Sequence, residues 1–252
     1  MSRSRTSPWA DVTYLALHGF TQRGSMWGEA AALAGGEWLN PDLPGHGSEP
    51  SCRWEEAVEG IAARLAGASA PRCLLGYSMG GRLALAAALA HPHLVDRLVV
   101  VSAGPGLATA SERRGRRARD RVLAEHIEEV GMPAFVAEWL AQPLFAGLRN
   151  RSPEWRAADA AIRASNRAAG VAAALRRLGQ GAQPYLGGRV GELPMPVLLV
   201  AGEADTAYAA TARHLAGTIA RATVVEVPEA GHAVVGEKPA EVVTTLAAWL
   251  AG

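Results

Sequence analysis

The sequence predicts an α/β fold with a mostly parallel sheet of about six strands and an inserted helical lid. The first observation is that short apolar runs alternate with helical patterns along most of the 252 residues. Such alternation indicates parallel strands joined by right-handed crossovers. The second is that the alternation stops between Pro105 and Pro194, where every pattern is helical. The third is a hydrophobic content of 49%, enough for one large buried core.

Six apolar runs are predicted to be strands, at residues 12–17, 37–40, 72–77, 97–102, 196–201 and 223–227. Helices are predicted between them at 54–66, 82–90, 207–219 and 239–251. Because the first strand follows Met1 so closely, we expect no antiparallel hairpin ahead of it.

The predicted domain division is a core of residues 1–104 and 195–252, with a lid insertion at 105–194. Within the insertion, helices are predicted at 111–130, 132–139, 153–169 and 170–179. A block placed over the carboxyl ends of the strands would exclude water and shape a pocket.

Composition excludes several classes of protein. A net charge of +1 gives no overall attraction to nucleic acid. Cys52 and Cys73 form neither a disulfide framework nor a metal motif. Residues 1–10 lack the apolar region of a secretory signal, and no stretch approaches the ~18 apolar residues of a membrane helix. We therefore expect a cytoplasmic protein without membrane insertion, metal or organic cofactor, as a monomer or weak homo-oligomer.

The segment Gly76-Tyr77-Ser78-Met79-Gly80 fits the pattern G-x-S-x-G. In α/β-hydrolases this is a sharp strand-to-helix turn that exposes a serine hydroxyl at the top of the sheet. Glycines at both ends suit such a turn, because a side chain would clash where the backbones press together. The alternative is a glycine-rich turn with a chance serine. An apolar run before the turn and an alanine- and leucine-rich helix after it favour the α/β-hydrolase fold, with Ser78 functional.

A catalytic serine needs a base, and the base needs an acid to orient it. In α/β-hydrolases the order along the chain is serine, acid, histidine. Asp205 follows the strand predicted at 196–201, and His232 follows the last strand. Asp205 is therefore the predicted acid, with Glu203 as the second candidate, and His232 is the predicted base. A solvated turn aspartate and a structural histidine are the alternatives.

The oxyanion hole is predicted to consist of two backbone N–H groups, those of Met79 and Phe20. His18 and His46 lie in loops beside the site, and we expect both to be structural. The other histidines show no metal-like pairing and are predicted to be surface or satisfied core residues; they are His91, His93, His126 and His214.

Three arginines bear on the class of substrate. Arg82 lies one helical turn after Ser78, and therefore near the floor of a pocket. Arg116 and Arg163 belong to predicted lid helices. Guanidinium groups bind carboxylates in bidentate geometry, so their convergence would indicate a multiply anionic small molecule. A solvated helix face is the alternative for each, and Arg113, Arg114, Arg117 and Arg119 compete with Arg116 for entry to the pocket.

Further stretches extend the pattern beyond the serine turn. They include Leu17-His18-Gly19-Phe20-Thr21-Gln22, Tyr77-Ser78-Met79-Gly80-Gly81-Arg82, Gly104-Pro105-Gly106-Leu107, Pro143-Leu144-Phe145-Ala146 and Gly181-Ala182-Gln183-Pro184. With these, the chain resembles the 2-succinyl-6-hydroxy-2,4-cyclohexadiene-1-carboxylate synthases of menaquinone and phylloquinone biosynthesis. The resemblance implies a Ser78, Asp205 and His232 triad. It also implies a substrate pocket lined by Tyr77, Arg82, Arg116, Trp139 and Arg163. Val235 is a departure, because relatives often carry a second histidine there.

The resemblance implies a lyase that eliminates pyruvate from 2-succinyl-5-enolpyruvyl-6-hydroxy-3-cyclohexene-1-carboxylate, with the triad serving as base. One alternative is a carboxylesterase or C–C bond hydrolase that forms an acyl-enzyme. Another is a non-catalytic binding protein of the same fold. The serine turn does not separate the first two, but converging arginines favour the lyase. An intact triad in the expected order disfavours the binding protein.

Overall fold

The computed structural model describes residues 12–251 of the chain, so the prediction about a signal at residues 1–10 lies outside the described residues. Its sheet has six strands: β1 (Thr13–Leu17), β2 (Glu37–Leu39), β3 (Arg72–Tyr77), β4 (Arg97–Val101), β5 (Val197–Gly202) and β6 (Ala222–Val227). They lie in the order β2-β1-β3-β4-β5-β6, and every neighbouring pair is parallel. The predicted parallel sheet of about six strands is confirmed.

Helices cover both faces of the sheet. The helices of the described residues are α1 (Gly28–Ala34), α2 (Trp54–Gly67), α3 (Met79–Ala90), α4 (Ala110–Ala141), α5 (Pro153–Ala164), α6 (Ala168–Leu178), α7 (Thr206–Ala216), α8 (Val234–Glu237) and α9 (Pro239–Ala251). Of these, α4, α5 and α6 belong to the segment between β4 and β5, where α4 and α6 share a core of their own. Alternate residues of β1 face opposite ways, Leu15 toward the core beneath α2, α3 and α7, and Tyr14 toward the core beneath α1 and α9. Burial on both faces explains why the four central strands, β1, β3, β4 and β5, appear in the sequence as continuous apolar runs.

The site lies where the strand order reverses. From β1 the chain moves outward to the edge strand β2 and then returns to place β3 on the other side of β1. Open α/β sheets bind ligands in the crevice at such a switch point, beyond the carboxyl ends of the strands. The loop after β1 and Ser78, which follows β3, meet in this crevice.

The serine turn packs directly against the end of β1. The Gly80 N–H donates to the His18 carbonyl oxygen at 3.0 Å. A Cβ added at Gly80 would overlap the Leu17 carbonyl oxygen, and one added at Gly76 would overlap the Gly80 carbonyl oxygen. Helix α3 consequently begins at Met79, directly after the serine, rather than at residue 82 as predicted. Close packing thus requires glycine at both positions, at Gly76 near the end of β3 and at Gly80 in the first turn of α3.

The chain between β4 and β5 is helical, as expected. A non-helical Gly131 with φ of 76° interrupts α4, where the sequence predicted separate helices on either side. The predicted helix 153–169 is wrong, because α5 ends at Ala164 and α6 starts at Ala168. The reason is tertiary: the Asn166 side chain donates to the Thr21 carbonyl oxygen at 2.8 Å and accepts the Gly47 N–H at 2.7 Å.

Within residues 12–251, no helix is both long enough and apolar enough to cross a membrane. Cytoplasmic location, oligomeric state and the division into core and lid stay predictions.

Replacing Gly80 by alanine should destabilise the protein by about 3 kcal/mol, because the added methyl group meets backbone that cannot move aside. The matched control is Gly67→Ala near the end of α2, where an added Cβ meets nothing within 4 Å and stability should change by less than about 1 kcal/mol. Urea unfolding of the two variants measures the difference. Equal stabilities would contradict the proposed packing of the serine turn.

Candidate active site

Ser78 has an unusual backbone conformation. Its φ of 51° and ψ of −108° lie outside the regions that a serine normally adopts. The turn is held on both sides: the Ser78 N–H donates to the Val101 carbonyl oxygen at 2.9 Å, and its own carbonyl accepts the Arg82 N–H at 3.1 Å. Strain of this kind persists only where the surroundings fix it, and it is concentrated at functional sites.

Three side chains form one hydrogen-bonded line. The Ser78 Oγ lies 3.2 Å from His232 Nε2, and His232 Nδ1 lies 2.7 Å from Asp205 Oδ2. The histidine and aspartate are only 5% and 9% exposed, so water does not compete for these bonds. A carboxylate can only accept, which assigns the imidazole proton to Nδ1 and leaves Nε2 to accept the serine proton. The arrangement can therefore deprotonate Ser78.

The structure distinguishes between the two candidate acids. Asp205 directly precedes α7 and reaches His232. Glu203 is exposed and accepts the Glu229 N–H at 3.3 Å. Of the two carboxylates, Asp205 is the one beside the imidazole.

Glu237 holds the backbone on both sides of His232, a role that the sequence analysis missed. Its carboxylate accepts the Gly231 N–H at 2.7 Å and the Ala233 N–H at 3.1 Å. The carboxylate thus fixes the short loop from which the imidazole projects. The only sequence signal is a carboxylate five residues after the histidine, which is weak without the fold.

The two N–H groups predicted for the oxyanion hole, of Met79 and Phe20, belong to residues that line the same cavity as Ser78. Neither N–H has a hydrogen-bond acceptor in the described part of the chain. Met79 is the first residue of α3, where the helix dipole favours negative charge. The loop that carries Phe20 is fixed by a bond of 3.1 Å from the Gly19 N–H to Gln22 Oε1.

His18 and His46 hold this loop in place. His18 Nε2 accepts the Leu43 N–H at 2.8 Å, and His46 Nε2 accepts the Thr21 N–H at 3.2 Å. Burial lowers the pKa of His18 to about 3 and that of His46 to about 4, so both are neutral at physiological pH. These contacts fit the structural roles expected of the two residues.

A cavity of about 210 Å³ opens beside Ser78 and His232. All five residues that the resemblance assigns to the substrate pocket line it: Tyr77, Arg82, Arg116, Trp139 and Arg163. The polar lining residues to which the sequence analysis gave no role are Gln22, Gln180 and Tyr208. Tyr208 lies three residues after Asp205 in the sequence, which places it one helical turn further along α7. That spacing is the signal that could have identified it.

The three arginines reach the cavity from different helices. Arg82 is buried and donates to the Leu178 carbonyl oxygen at 3.0 Å. Burial lowers its pKa to about 10, which still leaves it charged at neutral pH. Arg116 and Arg163 each bind one carboxylate through Nε at 2.7 Å, those of Asp120 and Asp159. Their other guanidinium nitrogens extend beyond these pairs.

The structure shows which arginine at the start of α4 enters the cavity. Arg116 lines it, whereas Arg113 donates to the carbonyl oxygens of Leu107 and Ala108. Arg117 donates to the Gly181 carbonyl oxygen at 2.9 Å. Arg113 and Arg117 are bound to backbone carbonyls in this way and do not line the cavity.

Aromatic rings complete the cavity wall. The Trp139 ring stacks on Phe135 at 5.6 Å and meets Phe20 edge-on at 5.4 Å. Its buried indole N–H has no hydrogen-bond partner within residues 12–251. The rings of Tyr77 and Tyr208 lie 5.6 Å and 5.0 Å from that of His232. The ring of Trp139 therefore contributes an apolar surface to the cavity, whereas its indole nitrogen is buried.

The remaining predicted positions lie away from this chemistry. Val235 is buried in the core under α9. His91 and His126 contact Glu59 at 3.0 Å and Glu138 at 2.6 Å. Among the described residues, no group of three or more histidine, cysteine, aspartate or glutamate side chains is arranged to hold a metal ion.

Comparisons with known proteins agree with this geometry. The model of the alpha/beta hydrolase family matches residues 15–245. A 2-succinyl-6-hydroxy-2,4-cyclohexadiene-1-carboxylate synthase of Escherichia coli O1:K1 / APEC is 32% identical over 95% of this chain and 92% of its own. A Bacillus subtilis protein provisionally named for the same activity is 42% identical over 66% of this chain and 61% of its own length. The solved structure of MenH from S. aureus has a TM-score of 0.89 and 26% identity, covering 96% of this chain and 94% of its own.

His18 and His46 should make the protein sensitive to acid, because both are buried in their neutral form. Their folded-state pKa values lie below the ordinary value of about 6.5, so the unfolded chain binds more protons and stability falls as the pH falls. Between pH 7 and pH 5 each should cost about 2 kcal/mol. Urea unfolding across this range measures the loss, and NMR titration of the imidazoles shows whether they stay neutral. Ordinary titration of His18 and His46 near pH 6.5 would contradict the assignment.

Proposed function

Since the chain belongs to the α/β-hydrolase family and, within it, to the 2-succinyl-6-hydroxy-2,4-cyclohexadiene-1-carboxylate synthases, we propose that it is the lyase for the pyruvate-eliminating step of menaquinone biosynthesis. Its substrate is then 2-succinyl-5-enolpyruvyl-6-hydroxy-3-cyclohexene-1-carboxylate. The observation that carries the proposal is that one cavity is lined by Ser78 and His232 and also by three arginines.

The charges of the cavity match those of the substrate. The substrate carries three carboxylates, on the ring, on the succinyl chain and on the enolpyruvyl group. Arg82, Arg116 and Arg163 offer one guanidinium for each, although two of the three already share charge with an aspartate. A simple ester would have little use for this much positive charge.

The reaction follows from the difference between substrate and product. The substrate has a ring double bond at position 3 and the enolpyruvyl group at position 5, whereas the product has double bonds at positions 2 and 4. A proton must therefore leave C2, and the bond between C5 and oxygen must break. The C2 proton is acidic because it lies next to the succinyl ketone.

We assign the removal of this proton to Ser78. His232, oriented by Asp205, takes the serine proton, and the serine oxygen then takes the proton from C2. The C2–H electron pair becomes the double bond between C2 and C3, and the former ring double bond moves to C4 and C5. The electron pair of the C5–O bond leaves with the enolate of pyruvate. The enolate takes up one proton and the His232 imidazolium gives one up, directly or through solvent, which returns the triad to its starting state.

Negative charge develops on the ketone oxygen as the C2 proton leaves. The free N–H groups of Met79 and Phe20 are the donors proposed to stabilise it. Losing one donor of this kind typically costs ~3–4 kcal/mol of transition-state stabilisation.

The helical insertion at 105–194 is proposed to serve as a lid. It supplies Arg116, Trp139 and Arg163 to a cavity that is also lined by Ser78 and His232 of the core. A substrate bound by both parts would close the site to water, and water exclusion strengthens each charge interaction. With water excluded, no water molecule reaches the negative charge that develops on the ketone oxygen after Ser78 removes the proton.

Replacing Ser78 by alanine should lower pyruvate release by about 10³-fold or more, because proton removal loses its base. The substrate is generated in situ by the upstream synthase, and lactate dehydrogenase reports pyruvate against a blank without the protein. The matched control is Ser111→Ala on the exposed start of α4, which should keep full activity.

The same assay addresses the alternative function. A carboxylesterase would hydrolyse a simple aryl ester through Ser78 and release pyruvate no faster than the blank. These two results together would contradict the proposed lyase activity and support an esterase activity. Pyruvate release that survives in Ser78→Ala would instead exclude the role given to the serine.

A further inference from the structure

Gln180 connects Arg116 to Tyr208. Arg116 Nη1 donates to Gln180 Oε1, and Gln180 Nε2 donates to the Tyr208 hydroxyl oxygen at 2.8 Å. All three side chains line the cavity beside Ser78. One amide group is therefore all that separates the guanidinium from the phenol.

The orientation of this amide determines where the tyrosine proton can go. A guanidinium has only donors, so the amide oxygen must face Arg116 and the amide NH₂ must face Tyr208. The hydroxyl oxygen is then an acceptor in the bond with Gln180, and its own proton is not used there. Within residues 12–251 the hydroxyl has no other hydrogen-bond partner. Its proton is free to bind a molecule in the cavity.

The ring of Tyr208 is held close to the reacting groups. Its centroid lies 5.0 Å from that of His232, and the residue follows Asp205 on the first turn of α7. The phenol thus reaches from the side of the triad toward Arg116. A carboxylate has two oxygens, so one carboxylate could accept from Arg116 and from Tyr208 together.

We propose that Tyr208 is a specificity-determining residue that donates a hydrogen bond to the substrate carboxylate bound by Arg116, and that this carboxylate is one of the two that remain in the product. Gln180 directs the proton toward that carboxylate. The inference rests on the proposed function for the identity of the substrate. It assigns to this site a neutral donor beside the guanidinium, which favours a carboxylate over the carbonyl of an uncharged ester.

The test is Tyr208→Phe, which keeps the ring beside His232 and removes only the hydroxyl. A hydrogen bond to a charged group is lost, so KM for the in-situ substrate should rise about tenfold while kcat stays within about threefold. Binding of 2-succinylbenzoate, which is the proposed product less one water, is measured by calorimetry and should weaken about tenfold. Tyr185→Phe, at an exposed tyrosine outside the cavity, is the matched control and should match the wild type.

A second variant separates substrate binding from support of Gln180. If the hydroxyl only anchored the amide, Gln180→Leu would reproduce the defect of Tyr208→Phe, and the double variant would be no worse. A direct donor predicts that Tyr208→Phe still weakens 2-succinylbenzoate binding when Gln180 is leucine. Unchanged KM and unchanged binding in Tyr208→Phe would overturn the inference. Absence of pyruvate release in the wild type, with 2-succinylbenzoate still bound through Tyr208, would overturn the proposed function alone.

Discussion

The contact between the serine turn and the end of β1 is the constraint on which the site depends. Gly80 has no Cβ, and its N–H reaches the His18 carbonyl oxygen at 3.0 Å. This contact sets the distance between the loop after β1 and the start of α3, and so brings the Phe20 and Met79 N–H groups to one cavity. The same helix carries Arg82, so the oxyanion donors and one guanidinium are positioned by a single close approach of two backbones.

Hydrogen bonds join the helical insertion to the loop after β1. Arg163 donates to Thr21 Oγ1 at 2.7 Å, and the Asn166 amide donates to the Thr21 carbonyl oxygen at 2.8 Å. Thr21 belongs to the loop of Phe20, whose other side is held by the neutral imidazole of His46. A substrate carboxylate on Arg163 would therefore act on the loop that supplies an oxyanion donor. Substrate binding and transition-state stabilisation share this loop in the proposed mechanism.

Local patterns were sufficient for the features that depend on one short segment. The four central strands, β1, β3, β4 and β5, are apolar runs because both of their faces are covered, and the turn around Ser78 has its own glycine pattern. Chain order and strand ends were enough to select Asp205 and His232. Contacts between residues that are far apart in the sequence could not be predicted from local patterns. The end of α5 depends on Asn166 reaching Thr21, and Glu237 matters only because the fold returns its carboxylate to the backbone around His232.

The central claim is that Ser78 removes a proton from carbon instead of attacking a carbonyl. The most direct measurement is single-turnover pyruvate release from substrate that carries deuterium at C2, compared with unlabelled substrate under the same conditions. Proton abstraction by Ser78 predicts slower release from the deuterated substrate, because the C2–H bond breaks in that step. Equal rates of release from the two substrates would contradict the claim.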